Sequence, residues 1–185
     1  ADMAGDQFFS IHPRKGEIIF LDKKKGELIN GVIGKPSLFQ AQTNTKGGGV
    51  VKTVDGNILI GPEAYEQPFR EDFSTHMDHI EVLMEKHMPL VKGLSPADVI
   101  NYCAGIRAST YEEDFIIERS EYVANLIHAA GIQSPGLASA PAIAEEIEKL
   151  ACQALREVME VKPNPTWNPI RKGIPELSRM DFAAR

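Results

Sequence analysis

An α+β fold is predicted for this chain: a mixed or largely antiparallel sheet with helices, then two further strands followed by one long helix. Three features predict it. Short β-prone runs separated by Gly and Pro recur between Phe8 and Ala130. Asp55-Gly56 lies between two such runs, Val50–Val54 and Asn57–Pro62, a hairpin signal that favours a tight primed turn. Two segments, Met77–Met88 and the stretch running from near Ser139 to Val158, repeat apolar residues at spacings of three and four, as one face of a helix does.

The elements follow in order. Phe8–His12 starts the first strand-like run, Pro13-Arg14-Lys15-Gly16 breaks it, and Glu17–Leu21 resumes it. Lys23-Lys24-Lys25-Gly26 reads as a solvated polar turn, and Leu28–Ile33 as another strand. Ala41–Gly49 reads as a flexible loop; its Gly47-Gly48-Gly49 lacks the Gly-Lys-Ser/Thr ending of a phosphate-binding loop. Ser74 or Thr75 can cap the helix that follows, whose Ile80, Leu83, Met84 and Met88 form the core-facing stripe. His76 and His79 stand three apart on that helix, but without a nearby cysteine or a recognisable ligand pattern no metal site is expected. Gly93-Leu94-Ser95-Pro96 closes the unit.

Val99–Ile106 is the next strand and delivers Arg107; Phe115–Glu118 and Leu126–Ala130 are two more. The turn Gly131-Ile132-Gln133-Ser134-Pro135-Gly136-Leu137 then leads into a helix beginning near Ser139 and Pro141, with Ile143, Ile147, Leu150, Ala151, Ala154, Leu155 and Val158 on one stripe. Pro163, Pro165, Pro169 and Pro175 should keep the tail extended.

Composition narrows the function. The 185 residues suffice for one domain with a full core or a domain and a half. Hydrophobic residues make up 43% and charged residues 25%, the balance of an ordinary globular protein. The net charge of −6, with both signs intermixed, argues against nucleic acid as the main partner. No apolar run approaches the roughly 20 residues a bilayer span requires, and Ala1–Asp6 has neither the basic region nor the apolar core of a signal peptide. Cys103 and Cys152 read as buried thiols, too few for an iron–sulfur or structural zinc site, and a cytoplasmic location is expected.

Two features carry chemistry. Strand, glycine-rich turn and helix amino end form an arrangement that can hold an electron-rich group: glycines admit close backbone approach, and the first helical N–H groups are unpartnered. By type alone the turn is equally an ordinary tight turn. Arg107 can grip carboxylate or phosphate in bidentate fashion, or can form a surface ion pair with Glu112, Glu113 or Asp114.

Gly105-Ile106-Arg107-Ala108-Ser109, Asp114–Glu118 and Ala130–Ala144 resemble, in this order and spacing, the FAD-dependent oxidoreductases of the D-amino-acid oxidase superfamily. The similarity is to the bacterial FAD-dependent glycerol-3-phosphate dehydrogenase-like branch, which in turn resembles L-2-hydroxyglutarate oxidase. His12–Glu17, Val54–Pro62 and Asn168–Arg171 resemble further family segments, so the resemblance covers nearly the whole chain. It implies a substrate-binding domain over residues 1–107, the C-terminal part of an FAD-binding domain over 108–160, and a Pro-rich tail over 161–185. The Gly-x-Gly-x-x-Gly motif that holds the FAD pyrophosphate does not occur here. The expectation is therefore a middle-to-C-terminal fragment, inactive by itself, whose missing N-terminal FAD-binding part would cover apolar surface. Without that part, the second region should self-associate or repack.

The resemblance further implies hydride transfer from the carbinol carbon of a small anionic substrate, glycerol 3-phosphate, to flavin N5. Arg107 would anchor the substrate anion. Gly131, Ile132, Ser134, Gly136, Leu137, Ala138 and Ser139 would bind the cofactor. His12 is the candidate base within this chain; the missing part is the other place for one. A 2-hydroxy acid is the alternative substrate, and a non-catalytic binding or assembly module, with Arg107 in a structural ion pair, the alternative of another class.

Overall fold

The computed structural model describes residues 1–35, 47–171, 173, 180 and 181. Strand β1 (Ile11–Leu21) is its axis. On one side β1 pairs antiparallel with β6 (Val99–Thr110) along its whole length, from Ile11 opposite Thr110 to Leu21 opposite Val99. On the other side it pairs with β4 (Ile58–Gly61) and β5 (Tyr65–Glu66). β3 (Gly49–Lys52) and β2 (Val32–Ile33) extend the sheet beyond β4, all antiparallel.

The break expected at Pro13-Arg14-Lys15-Gly16 does not occur, because β1 runs straight through it. The Pro13 carbonyl accepts the Gln67 N–H. The ring nitrogen shares that side of the strand, just beyond the two-residue ladder with β5, where a missing donor is least costly. Other boundaries also move. Lys23–Leu28 forms a 3₁₀ turn capped by Asp22, and only Val32–Ile33 of the expected Leu28–Ile33 strand pairs in the sheet. Gly49 belongs to β3 rather than to a loop, while residues 41–46 of that expected loop lie outside the described residues. The hairpin between β3 and β4 forms, but its turn is not primed. Gly56 N–H closes on Thr53 O, and only Gly56 has positive φ (90°), the pattern of a turn followed by a glycine bulge.

Alternation along β1 gives the sheet two unlike faces. Ile19 and Leu21, with their neighbours Ile58 and Ile60 and with Val50, point to one face and are buried. Helix α1 (Met77–His87) covers that face with Ile80 and Leu83, and Met88 and Val91 complete the core. Ser74 and Thr75 do not cap α1: its N-cap is His76, and the Ser74 hydroxyl pairs with Asp72 and the Lys15 ammonium. The compensation comes from the sheet beneath. The buried Glu17 carboxylate accepts the His76 N–H at 3.2 and 3.3 Å and the Tyr65 hydroxyl at 2.6 Å, placing an anion under the positive end of the helix. Lys15, also buried, pairs with Asp72 at 3.2 Å.

The opposite face carries His12, Arg14 and Gly16 on β1 and, as register partners, Ser109, Arg107 and Gly105 on β6. Arg107 is thus a mid-strand residue of β6, not the residue after a strand. Beyond β6, β7 (Ile116–Arg119) and β8 (Ile127–Ala130) form a separate antiparallel hairpin, against which α2 (Gly136–Arg156) packs. α2 starts three residues earlier than expected, when Gly136 N–H closes on Gln133 O. Pro141 is the sixth residue of α2, so its ring removes the N–H that would otherwise meet the Leu137 carbonyl. Val158 falls past the carboxyl end, 82% exposed and off the stripe. A buried pair, His128 Nε2 to Asp6 Oδ2 at 2.8 Å, ties the hairpin to the amino end of the chain.

Candidate functional site

On the uncovered face, a cleft of about 270 Å³ runs between the two regions. Gly49 and Val51 of β3 and Gly61 of β4 form one wall, and Gln133 and Ser134 of the turn form the other. Arg14 and Arg107, paired across β1 and β6, complete it.

Arg107 occupies the cleft without a carboxylate partner among the described residues. Of its two terminal nitrogens, Nη2 makes one long bond to the Glu63 carbonyl, 3.4 Å, and Nη1 is buried with no hydrogen-bond partner. Burial, and then repulsion from Arg14, pull its guanidinium below the ordinary arginine value. Gly16 makes room for it: a Cβ there would lie 2.5 Å from Nη2. The expected ion pair with the 112–114 acids falls to the other arginine. Arg14, 3% exposed, donates Nη1 to Glu113 Oε2 at 2.7 Å and Nη2 to Glu113 Oε1, and Nε to Glu66 Oε1 at 2.6 Å. These partners raise its pKa, Glu113 most. In return the Arg14 bond, followed by the Gln133 bond, holds the Glu113 carboxyl down at about 2.

Glu113 links this pair to the turn. It accepts Gln133 Nε2 at 3.0 Å, while Gln133 Oε1 accepts the Ser109 hydroxyl at 3.1 Å. Glu113 is the only non-glycine with positive φ among the described residues, at 59°. The turn is itself pressed onto β6: Gly131 has φ 65°, and a Cβ on it would lie 2.6 Å from Thr110 Cγ2. Gly136 is packed as closely on Ile132, 2.4 Å from a built Cβ to Cγ2. Leu137, 93% exposed, and Ala138 then stand open at the amino end of α2, with Ser139 half-buried behind them.

Of the residues singled out in the sequence, Arg107 and Ser134 line this cleft, Gly131, Ile132 and Gly136 shape the turn beside it, and Leu137, Ala138 and Ser139 form the first turn of α2. His12 does not line it. Its ring lies in an adjoining cleft of about 700 Å³ with Arg70, Tyr111 and Glu113, on the far side of Arg14. There Nε2 is 3.2 Å from Glu66 Oε2, and the ring lies 4.6 Å from that of Tyr111. Gln133, Arg14, Gly49 and Glu113 escaped selection. Gln133 and Arg14 stand inside segments already noted for their resemblance, whereas nothing local marks Glu113. His79, weighed for metal binding, stacks on Tyr65 at 3.8 Å and bonds Glu63 at 2.9 Å. No group of three or more metal-type side chains occurs among the described residues. No helix among them is long and apolar enough to cross a membrane.

The chain is 36% identical over 177 residues to a glycerol 3-phosphate dehydrogenase of Caloramator mitchellensis, covering 95% of this chain and 35% of that one. It is 34% identical over 159 residues to a glycerol 3-phosphate oxidase of Mycoplasma genitalium, covering 84% and 38%. It therefore spans little more than a third of these relatives. In structure it is similar to a dithionite-reduced L-α-glycerophosphate oxidase of Mycoplasma pneumoniae with FAD bound, at TM-score 0.77 and 24% identity, covering 94% of this chain and 43% of that one. A glycine oxidase of Bacillus cereus follows at TM-score 0.63 and 17% identity, covering 79% and 37%. The family model for FAD dependent oxidoreductases (DAO) matches residues 1–150, and the chain belongs to that family.

Proposed function

We propose that this chain forms the substrate-facing part of an FAD-dependent glycerol-3-phosphate oxidoreductase of the cytoplasm, with Arg107 as the anchor for the substrate anion. One observation carries the assignment: a half-buried arginine in a cleft, whose buried Nη1 has no hydrogen-bond partner and which makes no ion pair with a carboxylate among the described residues. A cation with a buried, unsatisfied nitrogen gains from an anion that supplies the missing acceptor. The names of the two relatives above select a phosphate ester over a 2-hydroxy acid.

The chain also suits the cofactor. The open amino end of α2 at Leu137 and Ala138, reached through the close-packed glycines of the turn, offers a positive dipole end to an electron-rich ring. When bound, the flavin supplies the hydride acceptor. This chain's part is to seat the substrate: Arg107 fixes the phosphate, and the apolar wall at Val51 and Gly61 limits water around the carbinol end. His12 faces the adjoining cleft, which speaks against direct proton transfer to it and for a base supplied elsewhere.

The test is Arg107→Ala in the full-length, flavin-loaded protein. Binding of glycerol 3-phosphate should weaken by about 1.5–3 kcal/mol, as for loss of a charged hydrogen bond. The preference over L-2-hydroxyglutarate should disappear with it. Unchanged KM and turnover would remove Arg107 from the site and, with it, the assignment.

A further inference from the structure

We infer that Glu113 sets the anion selectivity of the Arg107 cleft by compensating the charge of the Arg14 guanidinium that lines it, so that one uncompensated cation rather than two meets the substrate. The inference rests on the assignment of that cleft as the anion site. Arg14 and Arg107 are register partners on one face of adjacent strands, and both line the cleft, so two positive charges are built into it. Two guanidiniums side by side repel, and an anion between them would be held by both. What keeps the pair unequal is the carboxylates on Arg14, Glu113 on its terminal nitrogens and Glu66 on Nε. Glu113 engages both terminal nitrogens of Arg14 from the adjoining cleft and bonds Arg107 not at all.

Three observations show that the contact is built rather than incidental. Arg14 is 3% exposed and holds Glu66 with Nε, so its head is fixed in one orientation. Glu113 adopts a left-handed backbone conformation that a non-glycine residue takes only against a steric cost. The second acceptor function of Glu113, toward Gln133 Nε2, fastens the same carboxylate to the wall of the cleft. The lowered pKa of Glu113 keeps it charged across the working range of pH.

Charge is the quantity to vary. Glu113→Gln keeps the shape and an oxygen for Gln133 but removes the neutralising charge. A ligand that carries two charges gains more from the extra potential than one that carries one. Sulfate and acetate are the probes, titrated by calorimetry into the full-length, flavin-loaded protein. The sulfate Kd should fall roughly fivefold, with acetate changing less, on the scale of one charge acting across a partly solvated site. The gain should vanish in the double variant R14Q/E113Q. Arg14→Gln alone strands the Glu113 charge and should weaken sulfate more than acetate; it serves as an independent arm if Glu113→Gln does not fold. Equal changes for both anions, or none, in whichever variants fold would overturn the inference and leave Glu113 as a structural brace. If instead Arg107→Ala leaves sulfate binding unchanged, the anion-site assignment fails, and this inference with it.

Discussion

The two long helices of this molecule are bound to their sheets in opposite ways. α1, 11 residues long, buries Ile80, Leu83 and His87 against a six-stranded sheet and has Glu17 fixed beneath its first turn. α2, 21 residues long, rests on a two-stranded hairpin and has no fully buried residue. The difference is one of supporting area. A sheet of six strands encloses an apolar stripe, and a hairpin can only shade one side of it. α1 is scaffold; α2 contributes its amino end to the cleft, and the rest of its stripe is left half-covered.

Truncation at matched positions sharpens this contrast most. Leu83→Ala should cost about 3 kcal/mol of stability, the usual range for a buried leucine being roughly 2–5. Leu150→Ala on α2 should cost less than about 1 kcal/mol, because its side chain is only partly shielded. Urea denaturation midpoints compare the two, and equal losses would mean that α2 is buried in solution by surface not seen here.

A second test separates folding from site geometry. Gly16→Ala should leave the urea midpoint nearly unchanged, since the nearest atoms are the mobile end of Arg107, but should displace that guanidinium from the cleft. Sulfate binding should then weaken by roughly tenfold, about 1.4 kcal/mol. A large loss of stability with binding intact would show that the guanidinium is immovable and the glycine structural.

The smallest effect concerns pH. Glu113 has a folded-state pKa of about 2 against an ordinary value of 4.5, so its charged form is favoured by folding. That contribution is complete above 4.5, and is lost as pH falls through the window down to about 2. Stability measured at pH 6, 4 and 3 should therefore drop less steeply in Glu113→Gln than in the parent protein. Parallel curves would mean that the Arg14–Glu113 pair adds nothing to folding.

The sequence was most informative where neighbours in the chain are also neighbours in space. The stripe Ile80–Leu83, the hairpin around Gly56 and the run from β8 through the glycine turn into α2 were readable because each depends on residues within a few positions. Arg107 stood out by type, and Ser134 by its place in the turn. What escaped depends on distant residues. The cap of α1 comes from Glu17, 59 positions away. The partner of Glu113 is Arg14, 99 positions away. Pro13 reads as a break because its missing donor is a local property, whereas its harmlessness depends on where β5 ends. The left-handed Glu113 shows the same limit: no residue type announces that conformation except glycine and, less often, asparagine or aspartate.

The pairing of β1 with β6 has a consequence in time. Arg14 and Arg107 face each other only after a loop of roughly ninety residues has closed, and such non-local pairing is slow to form. During synthesis the chain must hold β1, with its buried Lys15 and Glu17, until β6 has left the ribosome. The cleft is therefore a late product of folding, and slow refolding after denaturation should be traced first to this strand pair.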